Sequence, residues 1–261
     1  MDTNKPRIII CRGLLLSILG LAAGCATAPT ENGNGVTPDP LETPNRVAYD
    51  FNETLDKHLI RPVAETYVDI TPEPVRKGVT NFFNNITYLN VILNTFLQGK
   101  FDQAIAGSLR FLYNSTFGLG GLYDISTEWG VPAGNEDFGQ TLAVWGFDQG
   151  AYLYIPLLGP NTVRNTPDYA TSILLNPLTY VTGAVLFPLT AANIINTRAN
   201  LLDETRIRDE AAVDPYTFTR EAYLQQRNYH IHDGNPPVEG YDNIFEGDFS
   251  AEGDEGVLVI E

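Results

Sequence analysis

Residues 78–99 read GVTNFFNNITYLNVILNTFLQG and contain no charged side chain. Their large apolar residues recur at helical spacing, which predicts an amphipathic helix from about Val79 to Gln98. The other face of this helix is polar without being ionic, because Thr87, Asn90, Asn94 and Gln98 follow one another at three- and four-residue spacing, and Asn84 belongs to the same uncharged set. Amides and hydroxyls satisfy hydrogen bonds without the desolvation cost of an ion. The stretch therefore fits either a helix in a large soluble core or a helix that is apolar outside and lines a narrow polar passage.

The N-terminus has the pattern of a bacterial lipoprotein signal peptide. Lys5, Arg7 and Arg12 precede an apolar run that ends in Leu21-Ala22-Ala23-Gly24-Cys25. The run is too short to span a bilayer, which needs roughly 20 apolar residues. We predict cleavage after residues 1–24, attachment of acyl chains such as palmitate to Cys25, and a flexible tether over residues 25–38. The alternative is an ordinary secretory peptide in which Cys25 is incidental.

Two further segments resemble the opening stretch. Residues 103–123 carry a single charge, Arg110, and residues 169–197 carry none. In an acylated protein, three such segments favour helices immersed in a membrane. Asn176-Pro177, Gly183 and Pro188 favour bent helices lying in one leaflet over one straight span. Arg110 is then either a contact for a lipid phosphate or an ion pair that ties helices together.

The remaining segments give a coarse outline. Residues 51–63 have helical spacing with Pro62 as a break or kink, a second helix runs from about Gln103 to Phe117, and Gly118-Leu119-Gly120-Gly121 ends it. Residues 129–150 form a hairpin or a loop. Pro177 and Pro188 interrupt the helices of residues 168–197, and a last helix covers about Asp214 to Tyr229. Residues 231–261 are acidic and predicted to be disordered.

Composition excludes several functions. The net charge of −16 argues against a general nucleic-acid surface. Cleavage before a lipidated Cys25 would leave no free thiol, and the histidines His58, His230 and His232 lack partners for a zinc set. No Gly-x-Ser-x-Gly nucleophile elbow is present. We therefore predict no catalytic residues, no metal and no cofactor.

A series of short strings, taken in order, resembles the MlaA/VacJ family of outer-membrane lipoproteins over about residues 39–230. The strings are Asp39-Pro40-Leu41-Glu42, Asn45-Arg46, Phe51-Asn52, Arg61-Pro62-Val63-Ala64, Asn94-Thr95-Phe96-Leu97-Gln98-Gly99, Arg110-Phe111-Leu112-Tyr113-Asn114-Ser115-Thr116, Gly118-Leu119-Gly120-Gly121-Leu122-Tyr123-Asp124, Phe138-Gly139-Gln140-Thr141-Leu142, Trp145-Gly146, Tyr152-Leu153-Tyr154-Ile155-Pro156-Leu157-Leu158-Gly159-Pro160, Thr197-Arg198-Ala199-Asn200-Leu201-Leu202-Asp203, Asp214-Pro215-Tyr216 and Arg220-Glu221-Ala222-Tyr223. One departure is Asn165, where the family usually has Asp, and this change removes a candidate partner of Arg164.

The resemblance implies a mainly α fold, a ring of amphipathic helices embedded in one leaflet around a central channel, with a short hairpin as an option. It also implies that phospholipids misplaced in the outer leaflet of a Gram-negative outer membrane descend towards the periplasm and pass to a soluble lipid carrier, beside a trimeric porin. The candidate lipid-pathway residues are Arg110, Asn84, Thr87, Asn90, Asn94 and Gln98. The alternatives are a membrane-bound lipid hydrolase and a structural porin-associated lipoprotein.

Overall fold

The computed structural model describes residues 39–237. The predicted signal peptide, the predicted tether with Cys25 and the predicted tail beyond residue 237 lie outside the described residues. Within them the chain is mainly helical with one two-stranded hairpin, as the sequence predicts. No helix in residues 39–237 has both the length and the apolar character needed to cross a membrane.

The helices and strands follow one another through short connections. The first half contains α1 (Glu42–Leu55), a π-helical turn (Asp56–Ile60), α2 (Arg61–Ile70), α3 (Glu73–Leu97), α4 (Phe101–Thr116), α5 (Ile125–Glu128) and α6 (Phe138–Val144). The second half contains β1 (Tyr152–Ile155), β2 (Gly159–Thr162), α7 (Asp168–Leu175), a 3₁₀ turn (Pro177–Tyr180), α8 (Gly183–Asn200), α9 (Leu202–Ala211) and α10 (Pro215–Ile231).

Three local predictions need correction. The hairpin lies at Tyr152–Thr162, while residues 129–150 hold a loop and the short helix α6. Pro188 does not interrupt a helix, since α8 runs through it; the break falls instead between the 3₁₀ turn and α8, beside Val181. Pro62 does not break the helical run, because Ile60 and Arg61 keep helical backbone angles; the regular α-helical pattern is instead interrupted by the π-helical turn Asp56–Ile60, which ends just before α2.

The helices and strands form a closed series of contacts. α1 packs on β1, β1 pairs with β2, β2 packs on α10, and the circuit continues through α9, α8, α2 and the π-helical turn back to α1. The long helix α3 packs against α4, α6, α7 and α8 inside this arrangement. The position of α3 brings its polar face next to several neighbouring elements.

Polarity is inverted relative to a soluble protein. Large apolar residues stand exposed on several helices, including Phe101, Leu174 and Phe187, of which Phe187 is 73% exposed. Buried positions are instead rich in amides: Asn45, Asn85, Asn90, Asn94, Asn114, Gln140, Asn161 and Asn196. Soluble monomers rarely expose large apolar patches, so this many exposed apolar side chains indicate an apolar environment or partner.

A small aromatic core supports the hairpin. Tyr49, Tyr152 and Tyr216 are buried and meet edge to face, with ring centroids 5.7 Å apart for Tyr49 and Tyr216 and 6.3 Å apart for Tyr152 and Tyr216. This geometry is favourable for aromatic pairs. It fixes α1 and α10 on the face of β1.

Two asparagines of α1 bind the open edge of the hairpin. The Asn45 side chain donates to the Tyr152 carbonyl (3.0 Å) and accepts from the Tyr154 N–H (2.8 Å). Asn52, two helical turns later, donates to the Ile155 carbonyl (3.2 Å) and accepts from the Leu157 N–H (2.7 Å). The amides thus satisfy backbone groups that a third strand would otherwise satisfy.

The turn after α4 requires glycine at one position. Gly121 has φ of +95°, and a Cβ there would lie 2.5 Å from the Cβ of Asn85 on α3. The turn therefore passes close to α3 and returns the chain so that Asp124 reaches α4.

Candidate functional site

The polar face of α3 divides into two parts. Asn84 and Thr87 are exposed and line a cavity of about 250 Å³ between α3, α4 and the loop around residues 133–134. Asn90, Asn94 and Gln98 are directed to other elements. Of the six residues that the sequence predicts for a lipid pathway, the structure brings Asn84, Thr87 and Arg110 together in one cavity.

The C-terminal part of the polar face of α3 forms a hydrogen-bonded network with neighbouring elements. Asn90 donates to Asp168 (3.2 Å) and Ser172 (3.1 Å) of α7, and Asn94 donates to the Asn90 carbonyl (2.9 Å) and accepts from the Thr141 hydroxyl (2.9 Å). Asn94 is fully buried. These bonds join α3 to α6 and α7.

Gln98 extends the network beyond the end of α3. Its amide donates to a carboxylate oxygen of Glu136 (2.8 Å), and Lys100 pairs with the other oxygen (2.9 Å). Gln98 therefore fixes the segment that leads into α6, and neither cavity at this face has it in its lining.

Arg110 is held in the wall of the cavity. Its guanidinium pairs with Asp124, and it also donates to the Thr127 hydroxyl (3.0 Å) and the Val131 carbonyl (2.7 Å). The arginine is 7% exposed. The structure thus contains the ion pair that the sequence offered as one of two alternatives, and it places that pair beside the cavity.

Asp124 is a lining residue that the sequence analysis missed. Burial tends to raise its pKa, but hydrogen bonds from Thr127 and Asn114 and the charge of Arg110 outweigh burial and hold the pKa below its ordinary value. The carboxylate is therefore charged at neutral pH. The one signal in the sequence was its place at the end of the string Gly118–Asp124.

A second, larger cavity lies on the other side of the loop that precedes α6. It measures about 510 Å³ and shares Tyr88, Val91, Ala133 and Gly134 with the first cavity. The Tyr88 hydroxyl accepts a hydrogen bond from the Gly134 N–H (2.9 Å), which holds the loop between the two cavities. Much of the lining is apolar, with Asp102, Glu136 and Asp233 at one end.

No described group of three or more histidine, cysteine, aspartate or glutamate side chains could hold a metal ion. Each histidine of the described range contacts an amide or a carbonyl: His58 lies 2.8 Å from the Thr54 carbonyl, His232 lies 2.9 Å from the Asn228 carbonyl, and His230 lies 2.6 Å from the Asn135 side chain.

Asn165 has a different partner from the one expected. Its carbonyl oxygen accepts from Arg227 (2.5 Å), which also pairs with Asp137, while Arg164 donates to the Phe147 carbonyl (3.0 Å). A carboxylate at position 165 would therefore face Arg227 and Asp137.

Comparison with known proteins places this architecture in a family. The model of the MlaA lipoprotein family matches residues 37–230.

The chain belongs to the MlaA lipoprotein family.

Individual relatives agree with the family model. The intermembrane phospholipid transport system lipoprotein MlaA of Shigella flexneri is 33% identical over 80% of this chain and 84% of the relative, and the protein of the same name from Escherichia coli K12 has the same identity and coverage. A solved structure described as the structural basis for maintenance of bacterial outer membrane lipid asymmetry superposes with a TM-score of 0.66. That chain is 32% identical, and the match covers 74% of this MlaA-family chain and 99% of the solved one.

Proposed function

We propose that this MlaA-family protein removes misplaced phospholipids from the outer leaflet of the outer membrane and passes them through a polar passage to a periplasmic lipid carrier. The proposed site is the cavity lined by Asn84, Thr87 and Arg110, together with the larger cavity beyond Gly134. The protein supplies a path and no covalent chemistry, and the direction of transport follows from the affinity of the carrier for lipid.

The observation that carries this proposal is the inverted polarity. Exposed apolar side chains such as Phe101, Leu174 and Phe187 suit hydrocarbon, while the cavity presents amides, hydroxyls and one neutralised ion pair. Because the smaller cavity holds its charges as one ion pair, a head group there can exchange water for protein hydrogen bonds without binding so tightly that it cannot leave.

Size also supports the proposal. The smaller cavity, at about 250 Å³, can hold a head group but is below the usual range for a whole drug-sized ligand. Acyl chains would then remain among apolar surfaces outside it. The relatives' names include intermembrane phospholipid transport, which supports phospholipid as the cargo. The exposed apolar faces fit a leaflet and, in part, a flat partner such as a trimeric porin.

The test compares a double variant at the cavity with a threonine control outside it. The hydroxyls of Thr87 and Thr116 each bond the carbonyl four residues earlier, and both side chains are exposed, but only Thr87 lines the cavity. In a strain without the native protein, the double variant Asn84→Leu with Thr87→Val should leave outer-leaflet phospholipid close to the level of the deletion strain, since two head-group contacts amount to about tenfold in rate. Thr116→Val should restore the native level.

Four results would contradict the proposal. Deletion of the protein could leave outer-leaflet phospholipid unchanged, or the cavity variant could restore it as well as Thr116→Val. Release of fatty acid from labelled phospholipid by the purified protein would indicate a hydrolase instead. Capture of a porin without any effect on lipid would indicate a structural lipoprotein.

A further inference from the structure

A third cavity lies away from α3, where the π-helical turn, the hairpin loop, α8 and α9 meet. It measures about 390 Å³. Its rim is apolar and exposed: Leu157 (71%), Leu158 (58%), Ile194 (50%) and Leu201 (46%). Its lining also contains Glu53, Asp56, Arg198 and Arg208. A charged interior inside an apolar rim is an unusual combination for a protein surface.

The charges at this cavity belong to one ion-pair network. Arg198 pairs with Asp56 (2.6 Å), Arg208 with Glu53 (3.0 Å), and Arg61 with both Asp56 (3.5 Å) and Asp209 (3.1 Å). Lys57 adds a contact to Glu53 (3.2 Å). Of these side chains, Glu53, Asp56, Arg198 and Arg208 line the cavity, two carboxylates against two guanidinium groups, while Lys57, Arg61 and Asp209 lie outside its lining.

One arginine of the cavity lining has a donor without an acceptor. Arg198 uses Nε and Nη2 to bind both oxygens of Asp56, but its Nη1 is buried and lacks a hydrogen-bond partner within residues 39–237. The arginine side chain is 10% exposed. A buried donor without an acceptor is costly, and a charged one more so. Because Arg198 belongs to the cavity lining, an anionic oxygen bound there is the kind of acceptor that this donor lacks.

We propose that this cavity binds an acylated phosphodiester, a phospholipid whose phosphate lies against Arg198 and Arg208 and whose acyl chains lie along Leu157, Leu158, Ile194 and Leu201. Guanidinium groups are well suited to phosphate oxygens, and the Nη1 of Arg198 in this lining has no acceptor among the described residues. The apolar rim favours an amphiphile over free phosphate. The site shares no lining residue with the cavity at Arg110, so it does not depend on the proposed transport path.

The experiment titrates the purified protein, in neutral detergent, with short-chain phosphatidylglycerol. Leu158→Glu places a carboxylate on the rim without disturbing a buried group, and we expect it to weaken binding at least tenfold, because like charges at short range in a partly buried site repel by about the free energy of a tenfold change. Leu174→Glu is the matched control, since Leu174 is similarly exposed (65%) but lies on α7 outside the cavity. It should bind phosphatidylglycerol as the native protein does.

Two further probes separate the parts of the lipid. Glycerol phosphate has the anion without the chains, and the matching short-chain diacylglycerol has the chains without the anion; each should bind at least tenfold more weakly than phosphatidylglycerol. Arg198→Gln should lose the preference for phosphatidylglycerol over diacylglycerol. If that variant fails to fold, the two rim variants still decide the question.

The proposal is overturned if Leu158→Glu and Leu174→Glu bind alike, if diacylglycerol binds as tightly as phosphatidylglycerol, or if glycerol phosphate does so. The variant Asn84→Leu with Thr87→Val should retain binding at this site. Loss of all binding in that variant would assign the lipid to the cavity at Arg110, and the proposed transport path would then stand without this second site.

Discussion

At the scale of the residue, the amides of α3 fall into two energetic classes. Asn94 is fully buried, and its side chain both donates to Asn90 and accepts from Thr141. Asn84 is exposed at the cavity and makes no comparable contact between elements. The same residue type therefore holds the fold at one position and faces the cavity at another, ten residues away.

This difference predicts unequal effects of one substitution. Asn94→Leu should lower the free energy of unfolding by about 2 kcal/mol, because the Thr141 hydroxyl loses its buried acceptor and the Asn90 side chain loses a donor. Asn84→Leu should change it by no more than about 0.5 kcal/mol, as is usual for surface positions. Denaturant unfolding in detergent measures both variants. Equal losses of unfolding free energy in the two variants would contradict the division of the polar face of α3 into a structural part and a cavity-facing part.

Arg110 shows why its role could not be read from the sequence. A lone arginine in a charge-free segment is expensive in an apolar environment, so the sequence indicates that something compensates it. The partner, Asp124, lies beyond a glycine turn whose path depends on contact with Asn85. Such a pairing across a turn is a tertiary feature, and spacing alone does not predict it.

At the scale of the element, the hairpin depends on α1. Two isolated strands are marginally stable in water, and here the open edge of β1 is bound by Asn45 and Asn52. At these two points α1 supplies hydrogen-bond partners of the kind that a third strand would supply. Both asparagines stand in strings that carried the resemblance, but nothing in their spacing indicates a bond to residues more than 100 positions later.

The two asparagines provide a prediction with an internal control. In Asn45→Leu the Tyr154 N–H loses its acceptor, so its amide exchange should accelerate about tenfold or more, while the Leu157 amide changes little. Asn52→Leu should show the reverse pattern. Hydrogen exchange followed at single amides measures both. Acceleration of both amides in each variant would mean that the hairpin opens as one unit and that the two bonds are not separate.

At the scale of the whole molecule, helix content and the charge-free segments could be predicted because periodicity is a local property. The inverted polarity could be anticipated from the absence of charge on three segments. The closed circuit of elements, the hairpin position and the cavities could not be derived from local pattern, since they depend on contacts between distant segments. The continuous helix through Pro188 could not be derived from local pattern either, since proline ordinarily disfavours the interior of a helix.

The acidic side chains give the molecule a predicted pH dependence. The pKa of Asp214 is lowered chiefly by hydrogen bonds from Arg46. Burial acts to raise the pKa values of Asp124, Asp137 and Asp209, but other contacts lower them overall: hydrogen bonds from Thr127 and Asn114 and the charge of Arg110 at Asp124, and hydrogen bonds chiefly from arginines at Asp137 and Asp209. Each group binds fewer protons in the folded state than in the unfolded state. Their contribution to stability is therefore complete above the ordinary aspartate pKa of about 4 and is lost as the pH falls below it.

We expect the free energy of unfolding to be nearly constant between pH 7 and pH 5 and to fall below about pH 4. Asp214→Asn should show a smaller fall over the acidic range, because one of the shifted carboxylates has been removed. Asp50→Asn serves as the control, since Asp50 is exposed, and it should follow the native curve. Identical acid sensitivity in Asp214→Asn and the native protein would contradict this account.

The two parts of the polar face of α3 differ in how readily they accept substitutions. Positions 84 and 87 face the cavity without holding the helix to its neighbours, so substitutions there are nearly free of structural penalty. Positions 90, 94 and 98 anchor the same helix and permit little variation. In the proposed function, selectivity for different lipid head groups would therefore be retuned by a few substitutions on an unchanged scaffold, which makes this helix the starting point for engineering altered lipid preference.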